Sequence, residues 1–236
     1  MYEAQKIRKG GIKKDRFEWS GKPWNPITGC TETSPGCAHC YAKKMATRFF
    51  RGKHGYPVDD PFRPGVIHED KFDIPIETRK PTLFFVCSMS DLFHEAVPDK
   101  NVQEILNICE KASHHKFVVL TKRAHRLNQG FKYPSNVWLG VSVENQYFWD
   151  ERTAILRSVD ANVRIVSIEP ILEPVVMDDI SWCDWIIVGK ESGAGARPMV
   201  VEWFTNIFQQ CRAAGVPFFS KQDINGEAYL EYPIKI

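Results

Sequence analysis

After residue 82 the chain alternates between short apolar runs and longer amphipathic stretches, and that rhythm restricts the folds open to it. The runs occupy residues 83–87, 117–120, 137–143, 163–168, 185–188 and 216–219. Each has the length of a buried strand and is rich in Val, Ile, Phe and Trp, without the polar alternation that marks a wet face. Helices are expected between them over 102–113, 146–157 and 201–214, the last closed by Gly215 and Pro217 in helix-stop positions. Strand–helix alternation of this kind implies an α/β fold with a mainly parallel sheet. The length of 236 residues, 43% hydrophobic and 25% charged, suits a single domain over 1–236.

Polar residues collect where each run ends. Ser88, Ser90 and Asp91 follow the first, and Thr121, Lys122 and Arg123 the second. Ser142 and Glu144 lie at the third, Glu169 ends the fourth, Lys190 and Glu191 end the fifth, and Lys221 and Gln222 end the last. In a barrel or partial barrel of parallel strands that end carries the site, because its loops converge on the axis. A single polar strand end can be merely solvated; six in succession point to a site.

The front of the chain differs in character. Residues 1–60 hold 12 Lys/Arg against 6 Asp/Glu, although the whole chain has 31 against 29. A basic arm over 1–18 (Lys6, Arg8, Lys9, Lys13, Lys14 and Arg16) permits a polyanionic partner and is equally a solvated surface. Residues 19–42 are dense in Gly, Pro, Trp and Cys and read as a loop shaped by its ligands, followed by a helix over 38–50. Residues 51–80, with four prolines and no period, read as a surface excursion. No window has the run of about 18 apolar residues that a membrane span needs, and the first 19 residues lack a secretion signal's apolar stretch, so a cytoplasmic protein is expected.

Cys30, Cys37 and Cys40 form a C-x6-C-x2-C pattern, the main chemical signal in the chain. Three thiolates can hold three irons of a cubane cluster and leave the fourth open, whereas a structural zinc wants four protein ligands. Zinc stays open as an alternative, with His39 or His54 as a fourth ligand. Cys87, Cys109, Cys183 and Cys211 sit in or beside apolar segments and read as core. No GxGxxG or Walker pattern accompanies Gly189, Gly193 and Gly195, so no dinucleotide or nucleoside triphosphate site is expected.

The three-cysteine loop followed by strand–helix units resembles the radical S-adenosylmethionine (SAM) enzymes, most of which use C-x3-C-x2-C. More closely, the stretches 24–42, 90–94, 120–123, 136–145, 167–170, 189–193 and 197–199 resemble a family of small radical SAM proteins common in phages and bacterial mobile elements, in which the wider gap is the rule. Lys190 departs from that pattern, which has a glycine there. The resemblance implies a partial (β/α)6-type barrel, a [4Fe-4S] cluster on Cys30, Cys37 and Cys40, and SAM bound at its open iron. It also implies that His39 lies near the adenine, that Ser88, Ser90 and Asp91 face the SAM ammonium, and that Ser142 and Glu144 meet the ribose. Lys122 and Arg123 would neutralise the SAM carboxylate or a substrate phosphate. Glu169, Lys190, Glu191, Arg197, Lys221 and Gln222 would line the mouth and select the substrate.

Some phage proteins of this kind are linked to hypermodified thymine in DNA, where a glycine joined through nitrogen becomes joined through carbon. The resemblance therefore implies a DNA or nucleobase-containing substrate, with Trp19, Trp24 and Phe50 as stacking aromatics, and a flavodoxin- or ferredoxin-type electron donor. One alternative is a radical SAM enzyme on another substrate (a nucleotide, RNA or peptide), and the rival from another class is a zinc-stabilised nucleic-acid-binding module without catalysis. Polar residues at the ends of six buried strands speak against it.

Overall fold

The computed structural model describes residues 20–192, 195–223 and 228–233. The basic arm, Trp19 and Gly193 lie outside them. In chain order the elements are β1 (Lys22–Trp24), β2 (Ile27–Thr28), α1 (Tyr41–Met45, continued by a π turn over Ala46–Phe50), β3 (Val66–Ile67), α2 (Ile74–Glu77), β4 (Leu83–Val86), α3 (Asp99–Lys111), β5 (Lys116–Thr121), β6 (Val137–Val143), α4 (Gln146–Ser158), β7 (Val163–Ile168), β8 (Trp185–Val188), α5 (Val201–Ala214) and β9 (Phe218–Ser220). Seven strands form one sheet in the order β1-β4-β5-β6-β7-β8-β9, every neighbouring pair parallel.

Both faces of this sheet are dry, which is why its strands read as unbroken apolar runs. Val119, Leu139, Val141, Val166, Ile168, Ile186 and Val188 face the helices, in a core completed by Val102, Ile105 and Leu106 of α3, Leu156 of α4, and Phe204 and Ile207 of α5. Their neighbours Val118, Trp138, Val163, Ile165, Trp185, Ile187 and Phe219 fill the opposite, concave face. The register sets Trp138 beside Val163, Gly140 beside Ile165, and Ser142 beside Ser167. A Cβ on Gly140 would stand 2.5 Å from the Ile165 carbonyl oxygen, so only glycine lets the inner layers close. Two residues beyond Leu120, Ser142, Ser167, Ile187 and Phe219 the same inward rows become Lys122, Glu144, Glu169, Gly189 and Lys221: the concave face is apolar below and charged at the C-terminal rim.

The expected strands and helices all occur, with ends that coincide or shift by up to three residues. Two expectations change. The segment 19–42 is not all loop, because Lys22–Trp24 adds a seventh, edge strand beside β4. Three residues containing a proline are too short to show a period. Accordingly Trp24 is no stacking aromatic: it is 1% exposed, packs on Phe84 and Phe117, and donates from Nε1 to the Lys71 carbonyl at 2.8 Å. Residues 51–80 are also more than a surface excursion. Val66–Ile67 pairs with β2, and Tyr56 and Phe62 join Ala42, Ala46 and Met89 in a small satellite core.

Among the described residues no helix is long and apolar enough to cross a membrane. Trp24→Ala is expected to cost about 3–5 kcal/mol in urea unfolding, because a buried indole leaves both a cavity and an unpaired carbonyl.

Candidate active site

The cysteine loop lies across the C-terminal ends of the strands because the segment after β1 is tied to the segment after β4. The Asn25 carboxamide oxygen accepts from the Ser88 hydroxyl (3.1 Å) and the Met89 amide (2.9 Å). The Gly29 amide donates to the Met89 carbonyl (3.0 Å), and the Ser90 hydroxyl to the Gly29 carbonyl (2.6 Å). Gly29, at φ +82°, lies so close to the Arg63 carbonyl that a Cβ would be 1.7 Å from it. Only glycine serves this crossing. Cys30 follows at once, its amide donating to the Phe62 carbonyl at 3.2 Å. Cys37 ends a 3₁₀ turn, and Cys40 directly precedes α1. All three thiols are free and half-buried, while Cys87, Cys109, Cys183 and Cys211 are buried, as expected of core cysteines.

Two ion networks clamp the loop to the sheet. In one, the fully buried Glu144 carboxylate accepts from Ser34 Oγ (2.6 Å), from Lys122 Nζ and from Arg152 Nη1 (3.2 Å). Gly36 packs against it, where a Cβ would stand 2.5 Å from Glu144 Cγ. In the other, Arg123, 3% exposed, has partners for Nε and both terminal nitrogens: Glu95 at 2.7 Å, Asp91 at 3.4 Å, Cys30 Sγ at 3.5 Å, and the Thr31 carbonyl and hydroxyl at 3.2 and 2.9 Å. Burial, with the nearby Asp91 charge, pushes the Cys30 thiol up to about 12, and Arg123 opposes that rise. Burial likewise works against the Arg123 charge, but Asp91, Cys30 and Glu95 outweigh it and hold the guanidinium protonated.

Asp91, expected at a ligand ammonium, is 5% exposed and engaged internally. Its carboxylate accepts from the Thr121 hydroxyl (2.7 Å) and from the Lys122 and Phe93 amides (each 3.0 Å), besides Arg123. Ser90 is spent on Gly29, and the Ser88 carbonyl accepts from the Tyr41 hydroxyl at 2.5 Å. These three residues therefore hold the cysteine loop and the end of β5 in place.

The far side of the mouth is built by β7 to β9. Lys221 Nζ pairs with Glu169 at 2.5 Å, close above Gly189. Between Glu169 and the apolar floor, the Ser167 hydroxyl is buried without a hydrogen-bond partner among the described residues, beside Ser142 in register. Glu191 pairs with Arg197 at 2.5 Å, and Arg197 reaches the Pro35 carbonyl of the cysteine loop at 2.9 Å. His39 turns toward Gly195 and Glu191. Lys190 and Gln222 stand apart at the rim, joined by an amide-to-side-chain bond of 3.1 Å, in an open groove of about 580 Å³. Sequence reasoning missed Ser34, Glu95 and Arg152. Only Arg152, a cation on the buried face of an amphipathic helix, leaves a readable trace.

The donor set suits an iron–sulfur cluster. Three thiols on one loop are free, and the cations Lys122 and Arg123 lie beside them to offset the charge of three thiolates. Neither candidate for a fourth zinc ligand joins them: His39 faces Gly195, and His54 stacks edge-on against Phe50. Among the described residues no group of three His, Cys, Asp or Glu side chains gathers around one ion.

Arg123→Ala is expected to lower stability by about 3–5 kcal/mol in urea unfolding, since it strands the buried Asp91 charge. The Arg197 hydrogen bond holds Glu191 down at about 2. A depressed carboxylate contributes stability above its unfolded value, lost as pH falls through the folded one. Glu191→Gln is therefore expected to cost about 2 kcal/mol at neutral pH and to converge with the parent chain toward pH 2, as followed by thermal unfolding against pH.

Over residues 14–229 the chain matches the family profile described as "Protein of unknown function (DUF5131)". No curated protein matches it. Among solved structures, a spore photoproduct lyase variant with bound AdoMet and dinucleoside spore photoproduct aligns at 14% identity and a TM-score of 0.50, with 93% of this chain and 71% of that one covered. Another spore photoproduct lyase variant aligns at 16% identity and a TM-score of 0.48 over 78% of this chain, which spans 60% of that one. The first likeness is one of fold, a curled half-barrel of mostly parallel strands with helices outside, as the strand rhythm predicts. By the extent of the family match, the chain belongs to the DUF5131 family.

Proposed function

We propose that this protein is a radical SAM [4Fe-4S] enzyme acting on a modified nucleobase in phage DNA. Its reaction, in this reading, isomerises N-linked glycinylthymidine to the C-linked form during a thymidine hypermodification that evades host restriction. The observation that carries it is the position of Cys30, Cys37 and Cys40: three free, half-buried thiols on a loop pinned across the charged mouth of a parallel half-barrel. The solved fold it resembles was captured with AdoMet and a dinucleoside, which is in keeping with both ligand classes.

Cys30, Cys37 and Cys40 would ligate three irons, with Arg123 donating to the Cys30 sulfur. When bound, the cluster and SAM supply a one-electron cleavage that yields a hydrogen-abstracting radical. Ser142 would meet the ribose, with Lys122 for the carboxylate, while Glu144, expected at the ribose too, is fully buried with both oxygens engaged and would instead hold Lys122 and the cysteine loop in place. The polar far side (Glu169, Lys221, Glu191 and Arg197, with Lys190 and Gln222 at the rim) would receive the base and its glycine. His39 would border the adenine. A flavodoxin- or ferredoxin-type protein would deliver the electron. The rearrangement breaks the bond from the glycine nitrogen to thymidine and one glycine Cα–H bond, and forms a Cα–thymidine bond and an N–H bond, so product and substrate have the same mass.

Anaerobic purification is expected to give about four irons with matching sulfide per chain. Reduction in the presence of SAM should release 5′-deoxyadenosine. Cys30→Ala, Cys37→Ala and Cys40→Ala should each lose both properties. With glycinylthymidine-bearing DNA, nucleoside chromatography should show a new peak of unchanged mass. A zinc-bound chain that stays inert after anaerobic reconstitution would overturn the radical reading and leave the binding module. Cleavage of SAM without the mass-neutral product would overturn the isomerase alone.

A further inference from the structure

One face of the molecule beside the mouth has a composition that neither the core nor the cysteine loop requires. α1 and its π turn bury Ala42 and Ala46 and half-bury Phe50 against the satellite core. The opposite face exposes Tyr41 (52%), Met45 (37%) and Phe49 (55%), one stripe at intervals of four residues. Cations flank that stripe. Residues 41–58 contain Lys43, Lys44, Arg48, Arg51 and Lys53 and no Asp or Glu. Lys43 pairs with Glu32, while the Arg48 guanidinium lies 5.3 Å from the centre of the Phe49 ring.

Two exposed rings two turns apart, with cations between and beside them, carry the chemistry that holds an unpaired nucleic-acid strand. Every base has a face to stack, and every linkage a phosphate to neutralise. A duplex keeps its base faces inside the stack and could offer only phosphates. The stripe also leads somewhere: the Tyr41 hydroxyl donates to the carbonyl of Ser88, just past the end of β4 at the rim of the mouth. We infer that the outward face of α1 is a track for single-stranded nucleic acid that delivers a base to the barrel mouth. The inference rests on the nucleobase substrate proposed above and adds the form in which it arrives and the surface that binds it.

The test is fluorescence anisotropy of the full chain against a labelled thymine-only single strand and the matching duplex, across a salt series. Phe49→Ala is expected to weaken single-strand binding about five- to fiftyfold. Arg48→Glu should weaken it further and flatten its salt dependence. Lys111→Glu, an exposed charge reversal at the end of α3, should bind as the parent chain does, and the parent should prefer the single strand to the duplex. Unchanged binding by Phe49→Ala and Arg48→Glu overturns the inference. So does loss of affinity for a reduced flavodoxin with oligonucleotide binding intact, which would make the stripe an electron-donor dock. Release of 5′-deoxyadenosine, measured in parallel, separates the two proposals. Strand binding along α1 without SAM cleavage sinks the radical reading alone, and cleavage with unaltered strand binding in the variants sinks the track alone.

Discussion

Glu144 has no contact with solvent, and the upper half of the molecule is organised around satisfying its carboxylate. A buried charge is tolerable only with close countercharges and hydrogen bonds. Three separate pieces of the fold supply them: Ser34 from the cysteine loop, Lys122 from the end of β5, and Arg152 from α4. Each partner comes from an element whose position the others must match. Glu144 thereby converts a flexible, glycine- and proline-rich loop into a part of the barrel's rim.

The same logic is repeated beside it with the sign reversed. Arg123 is a buried cation whose three nitrogens face Asp91, Glu95, Thr31 and Cys30. Removing the buried acceptor Asp91 leaves a guanidinium N–H short of a partner inside the fold. Arg123 holds the start of the three-thiol loop at Cys30 and Thr31, Glu144 holds its middle through Ser34, and Arg197 reaches the adjoining Pro35 carbonyl from across the mouth. The thiols themselves remain half-buried and free, so rigidity is supplied by the neighbours of the reactive groups and not by the groups themselves.

The sheet beneath makes this arrangement possible. Because strands pack helices on one face and side chains on the concave face, inward rows end together at one rim. Apolar residues fill the lower layers, and the layer above them is Ser142 with Ser167, whose buried hydroxyl has no partner among the described residues. A polar shelf over a sealed apolar floor is a place where a ligand's polar groups can be recognised without water reaching the core.

Much of this was legible in the chain itself. The strand rhythm dictated a parallel α/β sheet, since runs buried on both faces carry a signal that survives any detail of packing. The C-x6-C-x2-C spacing marked the loop with three neighbouring thiols, because local spacing is a covalent property. The polar strand ends were legible as a group for the same reason. Tertiary structure alone decided which partners those groups take. Asp91 and Ser90 turned inward to build the loop, Trp24 went into the core beside an edge strand too short to read, and Tyr41 and Phe49 emerged among the exposed aromatics. Those outcomes depend on contacts between residues tens of positions apart, such as Ser34 with Glu144 and Arg123 with Cys30. No local pattern encodes them, because the energy of a buried charge is fixed only when the fold brings its partners within hydrogen-bond distance.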